Sequence, residues 1–183
     1  LLQRLNGNEK VVCIIGLGYV GLPLALAYAE QGCNVIGIDI DRKKIEALNR
    51  GISYISHIEY DRVQSATESG FLRASYDPSE VREADGIIVC VPTPLGKHKE
   101  PDLSYVTETV KGILPFLRSN QVLSLESTTY PGTTDEVVRP LIERAGLCVG
   151  KDFFLVYSPE REDPGNGSFN TKTIPKVLGG CTK

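Results

Sequence analysis

The sequence contains no methionine, only two histidines, and five cysteines with no CxxC pair among them. A chain that opens at Leu1 and lacks Met throughout is read as something other than a complete primary translation product. Cys13, Cys33, Cys90, Cys148 and Cys181 are odd in number and widely spaced. That spacing argues against a zinc site or a disulfide framework and for a reducing, cytoplasmic setting. His57 and His98 sit in polar surroundings, SYISHIEY and GKHKEP, and are read as solvated loop residues, so no metal is expected. Excess positive charge is also missing: 20 Lys and Arg against 23 Asp and Glu leave a net charge of −3. No bulk field exists to hold nucleic acid or an anionic membrane. Internal repeats and low-complexity tracts are absent as well.

What remains is the composition of a folded protein, 183 residues with 41% hydrophobic and 23% charged side chains and 18 glycines, enough for one large core. One segment, Val11 to Ala29, runs 19 residues without a charge, long enough by count for a membrane span or a signal-peptide core. Its internal pattern excludes that reading. Five apolar, mostly β-branched residues (Val11 to Ile15) precede Gly16, Gly18 and Gly21. An Ala/Leu-rich stretch follows, with Pro23 where a first helical turn tolerates it. The order is strand, tight turn, helix.

Apolar β-type runs then alternate with helix-type stretches at intervals suited to βαβ crossovers. Strands are expected near Val11 to Ile15, Asn34 to Asp39, Leu72 to Tyr76, Gly86 to Val91, Gln121 to Glu126 and Phe153 to Tyr157, with a last one at Lys176 to Leu178. Continuous apolar runs, rather than alternating ones, fit parallel strands covered on both faces. Asp102 is placed to cap a helix whose Leu103, Val106, Val110, Ile113, Leu114 and Leu117 share one face. Thr133 followed by Glu136 has the pattern of a capping box opening a helix towards Arg144, with Gly146 at its stop. The fold class is therefore α/β, a doubly wound parallel sheet of the Rossmann type. The domain covers 1–183, with 1–9 as a flexible N-terminal segment. The longest irregular stretches, Pro92 to Pro101 and Ser158 to Pro175, follow strand carboxyl ends, where open parallel sheets bind ligands. Surface insertion is the plainer reading of both.

Gly16-Leu17-Gly18-Tyr19-Val20-Gly21 is a GxGxxG turn placed directly between strand and helix. Gly16 permits the turn, Gly18 lets backbone approach a pyrophosphate, and Gly21 lets the helix pack on the strand. The helix N-terminus offers free N–H groups and the positive end of a dipole to the anion. Asp39, at the end of the second strand in VIGID, is positioned to accept both ribose hydroxyls of NAD. Its charge would repel a 2′-phosphate, favouring NAD over NADP, although Arg42 three residues on works against that. An S-adenosylmethionine transferase shares a glycine-rich first turn and an acid on the second strand. The third glycine at dinucleotide spacing argues against it.

Beyond this turn, GLGYVGLPLA, NRGISYISHI, VPTPLGKHKEPDLSYV, ESTTYPGTT and YSPEREDPGN, in this order, resemble the UDP-glucose/GDP-mannose dehydrogenase family from Lys10 to Lys183. Within it the resemblance is strongest to the UDP-N-acetylglucosamine and UDP-N-acetylmannosamine 6-dehydrogenases. The resemblance implies an enzyme that oxidises C6 of a UDP-sugar to a carboxylate with two NAD, serving polysaccharide biosynthesis. A cysteine in such enzymes carries the intermediate as a thiohemiacetal and then a thioester. It implies a homo-oligomer of longer, two-domain chains. The connecting helix, the catalytic cysteine and the second domain of that pattern have no counterpart here, so the chain alone is expected to bind NAD without turnover.

Roles carry over residue by residue. Thr93, in VPTP, resembles the threonine that contacts the nicotinamide half, though a turn-capping hydroxyl is its plainer reading. Thr128 resembles the active-site threonine that holds water or a substrate hydroxyl, and it also borders the cofactor. Thr134 is read equally as a cofactor contact and as a helix-opening residue. Tyr19 and Val20 belong to the cofactor turn. Glu160 resembles an acid/base or water-ordering carboxylate, and Arg161 a guanidinium fork for the sugar nucleotide. A surface ion-pair cluster is the alternative for both. UDP-glucose enzymes carry Phe after this glutamate and a second Glu four residues beyond it. Arg161 and Pro164 stand there instead, which turns the resemblance towards N-acetylhexosamines. UDP-glucose, or another sugar or hydroxyacid substrate, stays as the alternative. Gly179-Gly180-Cys181 falls one residue short of the family's cysteine signature, and Cys181 is read as a strand-end residue.

Overall fold

The apolar runs of the first strands send successive side chains to opposite sides, and each side meets a different helical layer. The computed structural model describes residues 10–96, 99–159 and 175–182. In β1 (Val11–Ile15), Val12 and Ile14 enter one core, while Cys13 and Ile15 enter the other. The first core is completed by α1 (Gly21–Glu30), α2 (Arg42–Asn49) and α3 (Tyr60–Glu68), through residues such as Leu22, Leu26, Leu48 and Val63. The second takes Val106, Val110 and Ile113 of α4 (Ser104–Ile113) and Ile142 of α5 (Arg139–Arg144). Truncating one of these fully buried Leu or Ile side chains to Ala costs about 2–5 kcal/mol, so this double burial fixes the layer order.

Among the described residues the sheet has seven strands in the order β3-β2-β1-β4-β5-β6-β7. β2 (Asn34–Ile38), β3 (Leu72–Ser75), β4 (Gly86–Val89), β5 (Gln121–Leu125) and β6 (Phe153–Tyr157) run parallel with β1, and β7 (Gly179–Gly180) is antiparallel to β6. The chain reverses its direction of winding between β1 and β4. Strand ends diverge at such a point and open a crevice at the carboxyl edge.

Several expected strands overrun the observed ones at their carboxyl ends. Asp39, Cys90 and Glu126 still donate their amides to Ser75, Ile15 and Val89, but the chain turns there to form the crevice rim. The expected strand at Lys176 to Leu178 is corrected to Gly179–Gly180. Lys176 is drawn across the sheet end by an ion pair with Glu126, and Val177 and Leu178 are exposed, so pairing begins only at Gly179 opposite Tyr157.

Asp102 lies one residue before the N-cap, Leu103, and still serves the helix start: its Oδ1 accepts from the Ser104 N–H at 2.8 Å, and that bond holds its carboxyl below the usual range. The helix it opens stops at Ile113. Leu114–Phe116 form a 3₁₀ turn around Pro115, which has no N–H to continue the ladder. The capping box at Thr133 is not formed. Thr133 Oγ1 donates to Tyr130 O at 2.8 Å, and Glu136 N–H goes to Gly132 O. Thr133–Val138 is a short π-helix that leads into α5. Pro140 explains the widening, since its ring would clash with the carbonyl of Glu136 in a regular helix. Gly146, at φ +91°, stops the helix where the sequence placed the stop.

Candidate cofactor site

Gly16 leaves β1 with φ +94°, and a Cβ there would lie 2.7 Å from the carbonyl oxygen of Cys90, just past the carboxyl end of the neighbouring β4. A Cβ on Gly21 would lie 1.8 Å from Gly16 O, so α1 can start this close to the turn only with glycine there. Gly18 differs: a Cβ would meet nothing within 4 Å, because this residue faces the crevice. Two glycines thus serve packing, and the third keeps a space open at the helix N-terminus that a pyrophosphate would fill.

The crevice is a cavity of about 520 Å³. At one end stands Asp39, 7% exposed, whose carboxylate is already oriented. Oδ2 accepts from Leu17 N–H at 2.9 Å and from Lys44 Nζ at 3.0 Å, and Oδ1 accepts from Asp41 N–H at 2.9 Å. The Leu17 peptide is held on its other side by Tyr54, whose hydroxyl donates to Leu17 O at 2.5 Å. Burial first, then the nearby Asp39 charge, pushes the Tyr54 phenol well above its ordinary value, so it stays a donor. Oδ1 retains acceptor capacity towards the cavity for a sugar hydroxyl.

The other end is built from the β4 and β5 carboxyl termini, with Thr93, Thr128 and Glu126 on its wall. Ser127 Oγ donates to Val91 O at 2.7 Å and fixes the two strand ends together. Glu126, 5% exposed, is paired with Lys176 at 2.5 Å. Tyr19, in the glycine turn, lines the cavity and stacks on His57 with ring centroids 5.9 Å apart.

Of the residues singled out from the sequence, Gly16, Gly18, Tyr19, Val20, Asp39, Thr93 and Thr128 line this cavity. Gly21 lies just behind it. Arg42 is not on the wall, because its guanidinium sits 4.5 Å over the Tyr76 ring. Thr134 is buried in the short π-helix, away from the wall. Glu160 and Arg161 lie outside the described residues. Cys90, expected inside a strand, is instead half-buried on the cavity wall. Cys13 is buried and its thiol is pushed far up by that burial, while Cys181, beside β7, is pushed up to about 11 by burial and Asp135.

Lys44 and Glu126 were not singled out. Lys44 falls five residues after Asp39, in the first turn of α2, and its reach back to that carboxylate depends on where α2 starts. Glu126 had a signal in ESTT, but a charge next to a strand reads as solvated until its burial is seen.

A doubly wound sheet, a glycine turn at the switch point and a buried, oriented carboxylate at the end of the second strand define a dinucleotide-binding domain. The chain belongs to the UDP-glucose/GDP-mannose dehydrogenase family, whose NAD binding domain matches residues 10–183. The family is one of oxidoreductases, and the cofactor is NAD. The UDP-N-acetyl-D-glucosamine 6-dehydrogenase of Pseudomonas aeruginosa is 36% identical over 176 residues, covering 96% of this chain and 41% of that protein. The UDP-N-acetyl-D-mannosamine dehydrogenase of Escherichia coli K12 is 39% identical over 181 residues, covering 93% and 42%. Among solved structures, the UDP-N-acetyl-mannosamine dehydrogenase Cap5O from Staphylococcus aureus superposes with a TM-score of 0.86 at 34% identity, covering 95% of this chain and 42% of that one. This chain therefore spans about two-fifths of the length of its relatives. No helix among the described residues is long and apolar enough to cross a membrane.

Proposed function

We propose that this chain is the cofactor-binding part of a cytoplasmic nucleotide-sugar 6-dehydrogenase that oxidises C6 of a UDP-N-acetylhexosamine to the uronate. Two successive hydride transfers, each to one NAD, account for the four electrons removed. The observation that carries the reading is the single cavity running from Asp39, past the glycine turn, to Thr93 and Thr128. Asp39 takes the adenine-side ribose, the turn takes the pyrophosphate, and the nicotinamide half reaches the threonine end. NAD supplies the hydride acceptor there. Thr128 holds water or a substrate hydroxyl at that end, and Glu160 and Arg161 act on the sugar nucleotide from the loop after β6.

The choice of an N-acetylhexosamine over glucose rests on Arg161 and Pro164 and on the names of the relatives. Polysaccharide biosynthesis is the setting those substrates suggest. By itself the chain binds cofactor without completing the oxidation, because the cysteine that carries the intermediate in the enzymes it resembles has no counterpart among these 183 residues. The test is steady-state kinetics of a two-domain enzyme carrying this domain, with Arg161→Ala. A rise in KM for UDP-N-acetylhexosamine well beyond that for NAD supports the assignment. A loss confined to NAD puts the loop on the wrong side of the cleft.

A further inference from the structure

Glu126 is a buried carboxylate to which cofactor binding as described assigns no task. It lies one residue past β5, on the cavity wall at the end opposite Asp39. Its Oε2 accepts from Lys176 Nζ at 2.5 Å. Lys176 is 30% exposed and comes from the segment entering β7, fifty residues on in sequence. An exposed pair would matter little. Here Glu126 is buried, so removing Lys176 leaves a carboxylate uncompensated in a poorly solvated corner.

In the orientation proposed above, this corner receives the nicotinamide half. That ring is the part of the cofactor whose charge changes in the reaction, cationic in NAD⁺ and neutral in NADH. The adenine, both riboses and the pyrophosphate are the same in the two forms. A fixed charge near the ring therefore acts on the ratio of the two affinities, while contacts elsewhere cancel from it.

We propose that the Glu126–Lys176 pair sets the relative affinity of this site for oxidised and reduced cofactor. Glu126 favours the cationic ring, and Lys176 acts through Glu126 as a positioning residue that moderates that preference. The inference rests on the cofactor orientation given above. It requires the two charges to act with opposite sign.

The experiment is titration of the 183-residue chain with NAD⁺ and with NADH at pH 8, for the wild type, Lys176→Met, Lys176→Arg, Glu126→Gln and the double variant Glu126→Gln/Lys176→Met. The readout is Kd(NADH)/Kd(NAD⁺). Lys176→Met is expected to raise the ratio by about tenfold, Glu126→Gln to lower it by a similar factor, and the double variant to return it close to the wild type. Lys176→Arg keeps the wild-type ratio. A merely structural pair would weaken both forms alike and leave the ratio unmoved, which overturns the inference. So does a shift of both single variants in the same direction. Should Glu126→Gln fail to fold, the contrast between Lys176→Met and Lys176→Arg decides by itself. If only the ratio fails to respond, the cofactor site stands and this inference falls. If the wild type binds neither form, both fall together.

Discussion

The Oδ2 atom of Asp39 accepts from the Leu17 N–H at 2.9 Å and from Lys44 Nζ at 3.0 Å. This carboxylate at the end of β2 is thus anchored to the glycine turn and paired with a cation from the first turn of α2. In the proposed function, discrimination would be shared: Asp39 would offer the acceptor, and Lys44 would weaken the repulsion of a 2′-phosphate.

Asp39→Ala should weaken NAD about tenfold or more, since a hydrogen bond to a charged group is worth about 1.5–3 kcal/mol. It also leaves Lys44 facing the cavity without its partner, so NADP should bind better than it does to the wild type. Calorimetric titration with both cofactors checks this. Unchanged NAD affinity in the variant would remove Asp39 from the site.

Two glycines of one motif should respond differently to alanine. Gly21→Ala places a Cβ 1.8 Å from Gly16 O, a backbone atom, and should cost about 1–3 kcal/mol of stability or more. Gly18→Ala meets open space, so Tm should stay within a degree or two of the wild type while NAD affinity falls at least tenfold. Thermal unfolding and NAD titration on both variants separate the packing role from the binding role.

Acid should loosen the chain through its helix starts. Backbone bonds from Ser104 and Ser79 lower the pKa of Asp102 and Asp77 from the ordinary 3.8. A carboxyl depressed in the folded state contributes stability that is complete above the unfolded value. That contribution is lost as pH falls below 3.8 and through the lower folded value. Asp102→Asn, which keeps an acceptor but cannot titrate, should flatten the fall of Tm over that interval. An unchanged pH profile would show that the cap carries no linkage.

Supplied with NAD and UDP-N-acetylglucosamine or UDP-N-acetylmannosamine, the chain alone should not complete the two-step oxidation, so no more than one NADH per sugar can form. Cys13 is sealed in the core, and the Cys181 thiol is pushed up to about 11, so neither supplies a thiolate near neutral pH. Absorbance at high protein concentration, repeated with Cys181→Ser, is the check. Two-step turnover abolished by that change would make Cys181 the nucleophile.

The sequence by itself determined the elements whose signal is local. β1, the glycine turn and α1 follow from apolar residues, turn glycines and an Ala/Leu run within 20 consecutive positions. Asp39 was legible because its distance from the turn is set by one helix and one strand. Tertiary structure decided what depends on neighbours distant in the chain. The last strand slid to Gly179–Gly180 because Lys176 bonds Glu126 across the sheet end, a pairing that no window around residue 176 contains. Arg42 and Lys44 are indistinguishable as cations two positions apart. Where α2 begins turns one onto Tyr76 and the other onto Asp39. Burial of Glu126 and exposure of Cys90 to the cavity likewise arise where β1, β4 and β5 end together, and side-chain environment at such a junction is a property of packing rather than of local composition.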